Sequence, residues 1–183
     1  MASLLALDAA LARWFNGLAG VPALDWLMVA LTISGAYAAV WLVLGMVAAW
    51  GNGAAARGVV RMAWGLALAA LLVNGILKPA VDRERPFVRD PGVRLVGPTP
   101  SGSSFPSGHA ASAVAGAYGL VFVWPRRRAL LWALAAGIAC SRLYLGVHYP
   151  TDIVAGALVG WGAARLATGR APCYSSASAN VPR

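Results

Sequence analysis

The amino-acid sequence predicts an all-α protein: a polytopic membrane helix bundle of about five transmembrane spans, with an N-terminal amphipathic helix at the interface. Three observations predict it. Hydrophobic residues make up 60% of the 183-residue chain and charged residues only 11%, where soluble domains average about 25% charged. The apolar residues gather into runs of the length that crosses a bilayer, about 20 residues. Between the runs lie stretches that concentrate Pro, Gly and charge, the residues that end helices.

The elements follow in order. Over residues 3–18, Leu4, Leu7, Leu11, Trp14, Phe15 and Leu18 fall on one helical stripe, as in a helix lying in the plane of the interface. Asn16-Gly17 and Gly20-Val21-Pro22 end it. Asp8 and Arg13 interrupt its apolar character and no basic segment precedes it, so it does not read as a cleaved signal peptide. The stretch 26–50 carries no charge and is long enough for one tilted span; Ser34-Gly35 is the place where it would break into a short re-entrant helix and a shorter span. A second run covers 59–77, after the turn at Gly51-Asn52-Gly53. Residues 78–106 form the longest loop, polar and rich in Pro, Gly and Ser, of the kind that carries function. Further runs cover 107–124, 129–147 and 151–168. Residues 1–168 read as one domain and the Ser- and Ala-rich segment 169–183 as a disordered polar tail.

A net charge of +9 and a pI of about 10.8 would suit nucleic acid. Here the basic residues sit between apolar runs rather than on one polar face, so no nucleic-acid partner is expected. Arg57, Arg61, Arg126, Arg127, Arg128, Arg165, Arg170 and Arg183 hold or border one set of turns and the tail, which the positive-inside rule assigns to the cytoplasm. The long loop, the turn at 148–150 and the N-terminus then face outward, although Arg83, Arg85, Arg89 and Arg94 reduce the contrast. Cys140 and Cys173 form no disulfide framework. Ser112-x-x-x-Gly116 and Gly156-x-x-x-Gly160 are small-residue spacings that let helices approach closely. Packing inside the bundle is their first use, and a homodimer face is the alternative. Trp26, Trp50 and Trp124 near the span ends fit an aromatic belt.

Three clusters carry chemistry, and all fall at the same, outward end of the predicted runs. Lys78 and Arg85 follow the second run. A phosphoryl group in transit spreads negative charge over its oxygens, and fixed cations stabilise it most where water is sparse. Arg85 offers a planar fork and Lys78 a point charge. Either residue alone fits equally a cation that flanks a span and snorkels. Arg142, beside Ser141, lies inside an apolar stretch, where an ionisable residue is functional by default. Pro106-Ser107-Gly108-His109 opens the third run as a helix N-terminus, whose free N–H groups bind anions. Ser107 can donate its hydroxyl and Gly108 allows close approach. An ordinary N-cap is the alternative for that pair, but His109 follows directly and would point toward the same anion.

His148 and Asp152 stand four apart across Pro150, a residue favoured at the first helical position. Asp152 can accept from one imidazole nitrogen of His148 and leave the other free to attack phosphorus. Complementing the helix dipole is the alternative for Asp152. With few acidic residues on that side and cations all round, the histidines do not read as metal ligands. These are the parts of a metal-free phosphoryl-transfer site, and in a chain this apolar they point to a phosphate carried on a lipid.

These residues resemble the type 2 phosphatidic acid phosphatase (PAP2) superfamily, which also includes vanadium haloperoxidases and bacterial acid phosphatases. The family pattern is a Lys, six residues, then Arg-Pro; a Pro-Ser-Gly-His; and a Ser-Arg, five residues, a His, three residues and an Asp. This chain has Lys78 with Arg85-Pro86, then Pro106 to His109, then Ser141-Arg142 with His148 and Asp152, matching every specified position over residues 78–152. The resemblance implies that His148 is the nucleophile and forms a phosphohistidine, and that Asp152 orients and polarises it. It implies that His109 is the general acid that protonates the leaving oxygen and later helps activate water. Lys78, Arg85, Ser107, Gly108 and Arg142 would hold the phosphoryl oxygens, with no metal and no cofactor. Ser141 and Pro86 read as structural support.

The membrane architecture sets the chain apart from the soluble branches of the superfamily. A site at the outer rim suits an amphiphile whose phosphate sits at headgroup level. The small size, the N-terminal helix and the outward site are similar to bacterial undecaprenyl-diphosphate phosphatases. That resemblance implies conversion of undecaprenyl diphosphate to undecaprenyl phosphate at the outer face of a bacterial inner membrane. Phosphatidylglycerophosphate, phosphatidate and other isoprenoid phosphates are the alternatives, because loop 87–105 and the grooves between helices select the lipid. A non-catalytic lipid-phosphate binder or transporter would use the same cations but would not need both histidines. A protein whose arginines merely dock anionic lipid would need neither.

Overall fold

The computed structural model describes residues 2–169, and every regular element among them is helical. α1 is Ala2–Asn16 and α2 is Pro22–Gly35. A turn at Ala36–Ala38 leads into α3, Ala39–Ala49. α4, Gly53–Ala70, runs through a wide π-type turn at Leu71–Leu77 into α5, Lys78–Val81. α6 is the single turn Pro86–Arg89. α7 is Gly108–Val123, α8 is Arg128–Tyr144 and α9 is Pro150–Thr168. Apart from Gly169, the tail expected at 169–183 lies outside the described residues.

Local chemistry sets these boundaries. The Asn52 side chain accepts from the Ala54 and Ala55 N–H groups, each at 3.1 Å. α4 therefore starts at Gly53 rather than near Val59, because a good cap and three alanines favour helix where hydropathy alone sees little. α8 stops at Tyr144, short of the expected 147, because Gly146 turns the chain at φ 73. A Cβ there would lie 2.7 Å from the Arg94 carbonyl oxygen. The uncharged stretch 26–50 is broken just after Ser34-Gly35: Tyr37 and Ala38 take left-handed backbone, at φ 51 and 60, which non-glycine residues seldom adopt.

α7 is the central helix, packed on α4, α8 and α9 and touching α2 and α3. Apart from Leu120, its buried face is small: Ala110, Ala111, Ala113, Ala115, Gly116, Ala117 and Gly119. Trp41 of α3 and Met62 of α4 fill the space against it, both fully buried. A Cβ on Gly116 would overlap the Trp41 ring, and one on Gly119 would come within 2.6 Å of Met62. On the opposite side, Gly156 and Gly160 bring the α9 backbone onto the Ser107 and Ala111 carbonyl oxygens. Gly116, Gly156 and Gly160 thus serve packing within the chain, whereas Ser112 lines the cavity described below. Large apolar side chains stand outside instead, with Trp26, Trp50, Trp64, Leu130, Leu158 and Leu166 exposed. Small residues within and large apolar ones without suit a lipid surround, where close helix approach replaces the hydrophobic effect. Pro22–Ala49 and Gly53–Arg89 are long and apolar enough to cross a bilayer.

α1 attaches by its polar face. Asp8, Ala12 and Asn16, one turn apart, are buried, while Leu4, Leu7, Leu11, Trp14 and Leu18 stay exposed. Asn16 donates to the Arg94 and Tyr144 carbonyl oxygens at 2.8 Å each and accepts from the Arg94 N–H at 2.7 Å. The leucine stripe that marks α1 in the sequence therefore faces away from the body of the protein.

Candidate active site

Lys78 at the start of α5, the first turns of α7 and α9, the last turn of α8 and the loop after it meet at one end of the bundle. A cavity of about 790 Å³ opens there. Lys78, Arg85, Gly108, His109, Arg142 and His148 all line it. So do Leu42 and, roughly two to four turns before Lys78 on α4, Ala63, Leu66 and Ala70. The cavity thus joins a charged rim to an apolar interior.

His148 lies in the loop 145–149 and is buried. Its Nδ1 is 3.4 Å from Asp152 Oδ2, within ion-pair range, but the alignment is too poor for a hydrogen bond and Nδ1 has no formal partner. With Nδ1 turned to the carboxylate, Nε2 is the nitrogen left for a ligand. Asp152 is fully buried. Its Oδ2 accepts from the Tyr149 N–H at 2.8 Å and closely from the Ser104 hydroxyl, and its Oδ1 accepts from Arg83 Nη1 at 2.7 Å. Burial pushes His148 down to about 4; Asp152 opposes that shift, and the Arg142 and Arg85 charges add to it. At neutral pH the ring is uncharged and keeps a lone pair.

The other side chains are held as firmly. His109 Nε2 lies 3.1 Å from the Thr32 carbonyl oxygen. A carbonyl only accepts, so this nitrogen carries the proton. Arg142 Nη1 donates to the Thr32 hydroxyl, while its Nε has no protein partner. One residue of α2 thus holds two groups of the site. Arg85 donates to four carbonyl oxygens, those of Gly102 at 3.0 Å, Val147 at 3.0 Å, Ser101 at 2.9 Å and Ser103 at 3.2 Å. It frames the loop 101–103 as well as facing the cavity. Lys78 is half-buried and has no salt-bridge partner among the described residues.

Two of the sequence-predicted residues stand behind the cavity wall rather than on it. Asp152 lies behind His148. Ser107 is fully buried, and its hydroxyl accepts from the Ala110 N–H at 3.4 Å as the cap of α7. The Ser107 N–H donates to the Asp152 carbonyl oxygen at 3.0 Å, tying the starts of α7 and α9 together. At Gly108 an added Cβ would meet only Val73, at 3.7 Å, so the open approach there is toward the cavity.

Sequence reasoning missed Asp8, Thr32, Arg83 and Ser104. Arg83 counted only as a charge in the loop, and Asp8 only as an interruption of an apolar helix. The available signal was that interruption, because an ionised carboxylate is not buried without a partner. Thr32 and Ser104 carried no signal of their own.

The sequence profile of the PAP2 superfamily matches residues 58–171, more than half of the chain. The chain is 41% identical to decaprenylphosphoryl-5-phosphoribose phosphatase of Mycolicibacterium smegmatis, over 81% of this chain and 80% of that one. It is 35% identical to the undecaprenyl-diphosphatase of Sulfolobus acidocaldarius over 50% of this chain, and spans 45% of that relative. Among solved structures, LpxE of Aquifex aeolicus is similar with a TM-score of 0.73 at 27% identity, covering 88% of this chain and 94% of LpxE. A transmembrane PAP2-type phosphatidylglycerolphosphate phosphatase from Bacillus subtilis shares the fold, with a TM-score of 0.74 at 24% identity over 92% of this chain and 86% of that one. Family profile, relatives and fold agree: the chain belongs to the PAP2 superfamily and is an integral-membrane phosphatase of that type.

Proposed function

We propose that the protein is a polyprenyl-lipid phosphatase that works through a phosphohistidine on His148. The observation that carries this reading is a buried His148, backed by Asp152, on a cavity that also holds Lys78, Arg85, His109 and Arg142 and continues along apolar α4. His148 Nε2 attacks phosphorus, and the N–P bond forms as the bond from phosphorus to the leaving oxygen breaks. Asp152 stabilises the resulting imidazolium. His109, protonated on both ring nitrogens, gives its Nδ1 proton to the leaving oxygen while Nε2–H stays on the Thr32 carbonyl. Water then attacks phosphorus, His109 takes up its proton, the N–P bond breaks and orthophosphate leaves. Lys78, Arg85, Arg142 and the N–H groups at Gly108 hold the phosphoryl oxygens. Ser107 serves through its cap, which keeps those N–H groups in place. Two histidines among three cations make a poor set of metal donors, and turnover needs no divalent ion.

The substrate is a phosphate on a polyprenyl lipid. A phosphomonoester on a polyprenyl-linked pentose is favoured by the Mycolicibacterium relative, which matches over 80% of its own length. Undecaprenyl diphosphate is the second reading and rests on a relative matched over 45% of its length. Residues 1–168 act as one domain around the 78–152 motifs. It crosses a bacterial inner membrane five times, with α1 in the interface and the cavity on the outer face; the distribution of arginines supports this orientation.

The test is phosphate release by detergent-purified protein in excess chelator. Decaprenylphosphoryl-5-phosphoribose, undecaprenyl diphosphate and phosphatidylglycerophosphate are compared as substrates. We expect turnover without added metal, preference for the polyprenyl substrates, and loss of activity in His148→Ala. His109→Ala is expected to accumulate phosphoenzyme from p-nitrophenyl phosphate, whose leaving group needs no proton. Full activity in His148→Ala would sink the nucleophile assignment.

A further inference from the structure

We propose that Arg83 and Asp8 are positioning residues for the nucleophile: the pair reaches from α1 to Asp152 and holds that carboxylate against His148. The proposal rests on the phosphohistidine reading above. Arg83 lies between two buried carboxylates, with Nη1 2.7 Å from Asp152 Oδ1 and Nη2 2.6 Å from Asp8 Oδ2. Its guanidinium sits 3.9 Å above the Tyr149 ring. Thr151 closes the network. Its N–H donates to Asp8 Oδ1 at 2.9 Å, its hydroxyl to Asp8 Oδ2 at 2.6 Å, and it accepts from Arg83 Nη1 at 2.8 Å.

Arg83 does not line the cavity that holds His148, and both of its terminal nitrogens are taken up by carboxylates. It is therefore no clamp for the phosphoryl group. Its effect passes through Asp152. That carboxylate has Oδ2 directed to Tyr149, Ser104 and His148, and only Arg83 holds Oδ1 among the described residues. With Oδ1 fixed, the group cannot rotate and Oδ2 stays beside Nδ1. Charge makes Asp8 necessary as well. A lone guanidinium on Asp152 would draw its negative charge away from the imidazole. Asp8 offsets that cation, so the three groups together carry net negative charge toward the imidazolium that forms on attack. α1 is then part of the support of the nucleophile and not only an anchor.

The test uses the full-length protein in detergent, with Asp8→Asn, Arg83→Lys and Arg83→Gln beside His148→Ala. The rate of phosphoenzyme formation from p-nitrophenyl phosphate is measured together with steady-state kcat, KM and the thermal midpoint. We expect phosphorylation and kcat to fall roughly 10- to 100-fold with KM unchanged, by analogy with the loss when the outer partner of a metal-bound imidazole is removed. Arg83→Lys should recover part of the Arg83→Gln loss, because it keeps the charge without the fork. A rise in KM at unchanged kcat would overturn the proposal, since Arg83 would then bind substrate. So would wild-type kinetics, or a loss that tracks only the folded fraction. Should Arg83→Gln fail to fold, Asp8→Asn and Arg83→Lys decide the matter alone. If His148→Ala still forms phosphoenzyme, the phosphohistidine reading fails instead. If it is silent while Asp8→Asn and Arg83→Lys match wild type, only the Asp8–Arg83 role fails.

Discussion

His148 is buried beside a carboxylate and among cations, and burial sets the sign of its pH response. Its folded value is pushed down to about 4 from the ordinary 6.5. Between those values the unfolded chain binds the proton and the folded one does not. The stability His148 contributes is therefore fully present above pH 6.5 and is lost as pH falls to about 4, by about 3 kcal/mol in all. Unfolding of the detergent-solubilised protein across that window should show the loss in wild type and a smaller one in His148→Gln. On the proposed mechanism the acid limb of kcat/KM should likewise lie near pH 4, because only a neutral imidazole can attack; a limb at 6.5 would contradict the buried environment. At this scale the residues of the motif were legible because phosphate chemistry demands particular residue types at fixed spacing. Thr32 and Ser104 were not, since a threonine in an apolar run and a serine in a Ser-rich loop look like any other. Their role comes from contacts made across 77 and 48 residues of chain.

Helices were legible as hydrophobic runs, and so were both ends of α7 and α9, to within one residue, but the start of α4 and the end of α8 were not. The start of α4 depends on the Asn52 cap, the end of α8 on the Gly146 turn, and the path into Lys78 on the wide turn Leu71–Leu77. None of these alters hydropathy. A π-type turn of this kind often marks a functional site, and here it delivers Lys78 to the cavity. The crossing of α7 and α9 has the most direct consequence. Gly156 packs its backbone on the Ser107 carbonyl, beside the hydrogen bond from the Ser107 N–H to Asp152. A methyl at position 156 must push the two helices apart at the point that sets Asp152 relative to the start of α7. Gly156→Ala should therefore cost about 1–3 kcal/mol of stability and lower kcat as well. Gly162, on the same helix, has nothing within 4 Å of an added Cβ. Gly162→Ala should be neutral or slightly stabilising, because alanine favours helix. Thermal midpoints and kcat for the two variants check the pair; equal effects would show that the close approach does not matter.

For the whole molecule, composition made the bundle legible, whereas the attachment of α1 was hidden. The stripe of leucines reads as the face turned to the bilayer interface, and Leu4, Leu7, Leu11 and Trp14 are exposed; what the sequence did not show is that α1 holds the body through Asp8 and Asn16. Hydropathy could not reveal this, because the partners of the polar face lie far along the chain. The same geometry gives a test of sidedness. Thr99 lines the mouth of the cavity, near the start of α7, and Arg127 lies beyond its end. The helix between them is 16 residues long, roughly 24 Å, which approaches the ~30 Å of a bilayer core. The two positions should therefore lie on opposite faces of the membrane. Cys140 is an exposed free thiol, so it and Cys173 are first replaced by alanine. In intact cells, Thr99→Cys should react with a membrane-impermeant maleimide, and substrate should protect it. Arg127→Cys should react only after permeabilisation. The reverse pattern would put the active site in the cytoplasm, where the enzyme would meet its lipid before export rather than after. Equal labelling of both positions in intact cells would mean that α7 does not cross the bilayer at all.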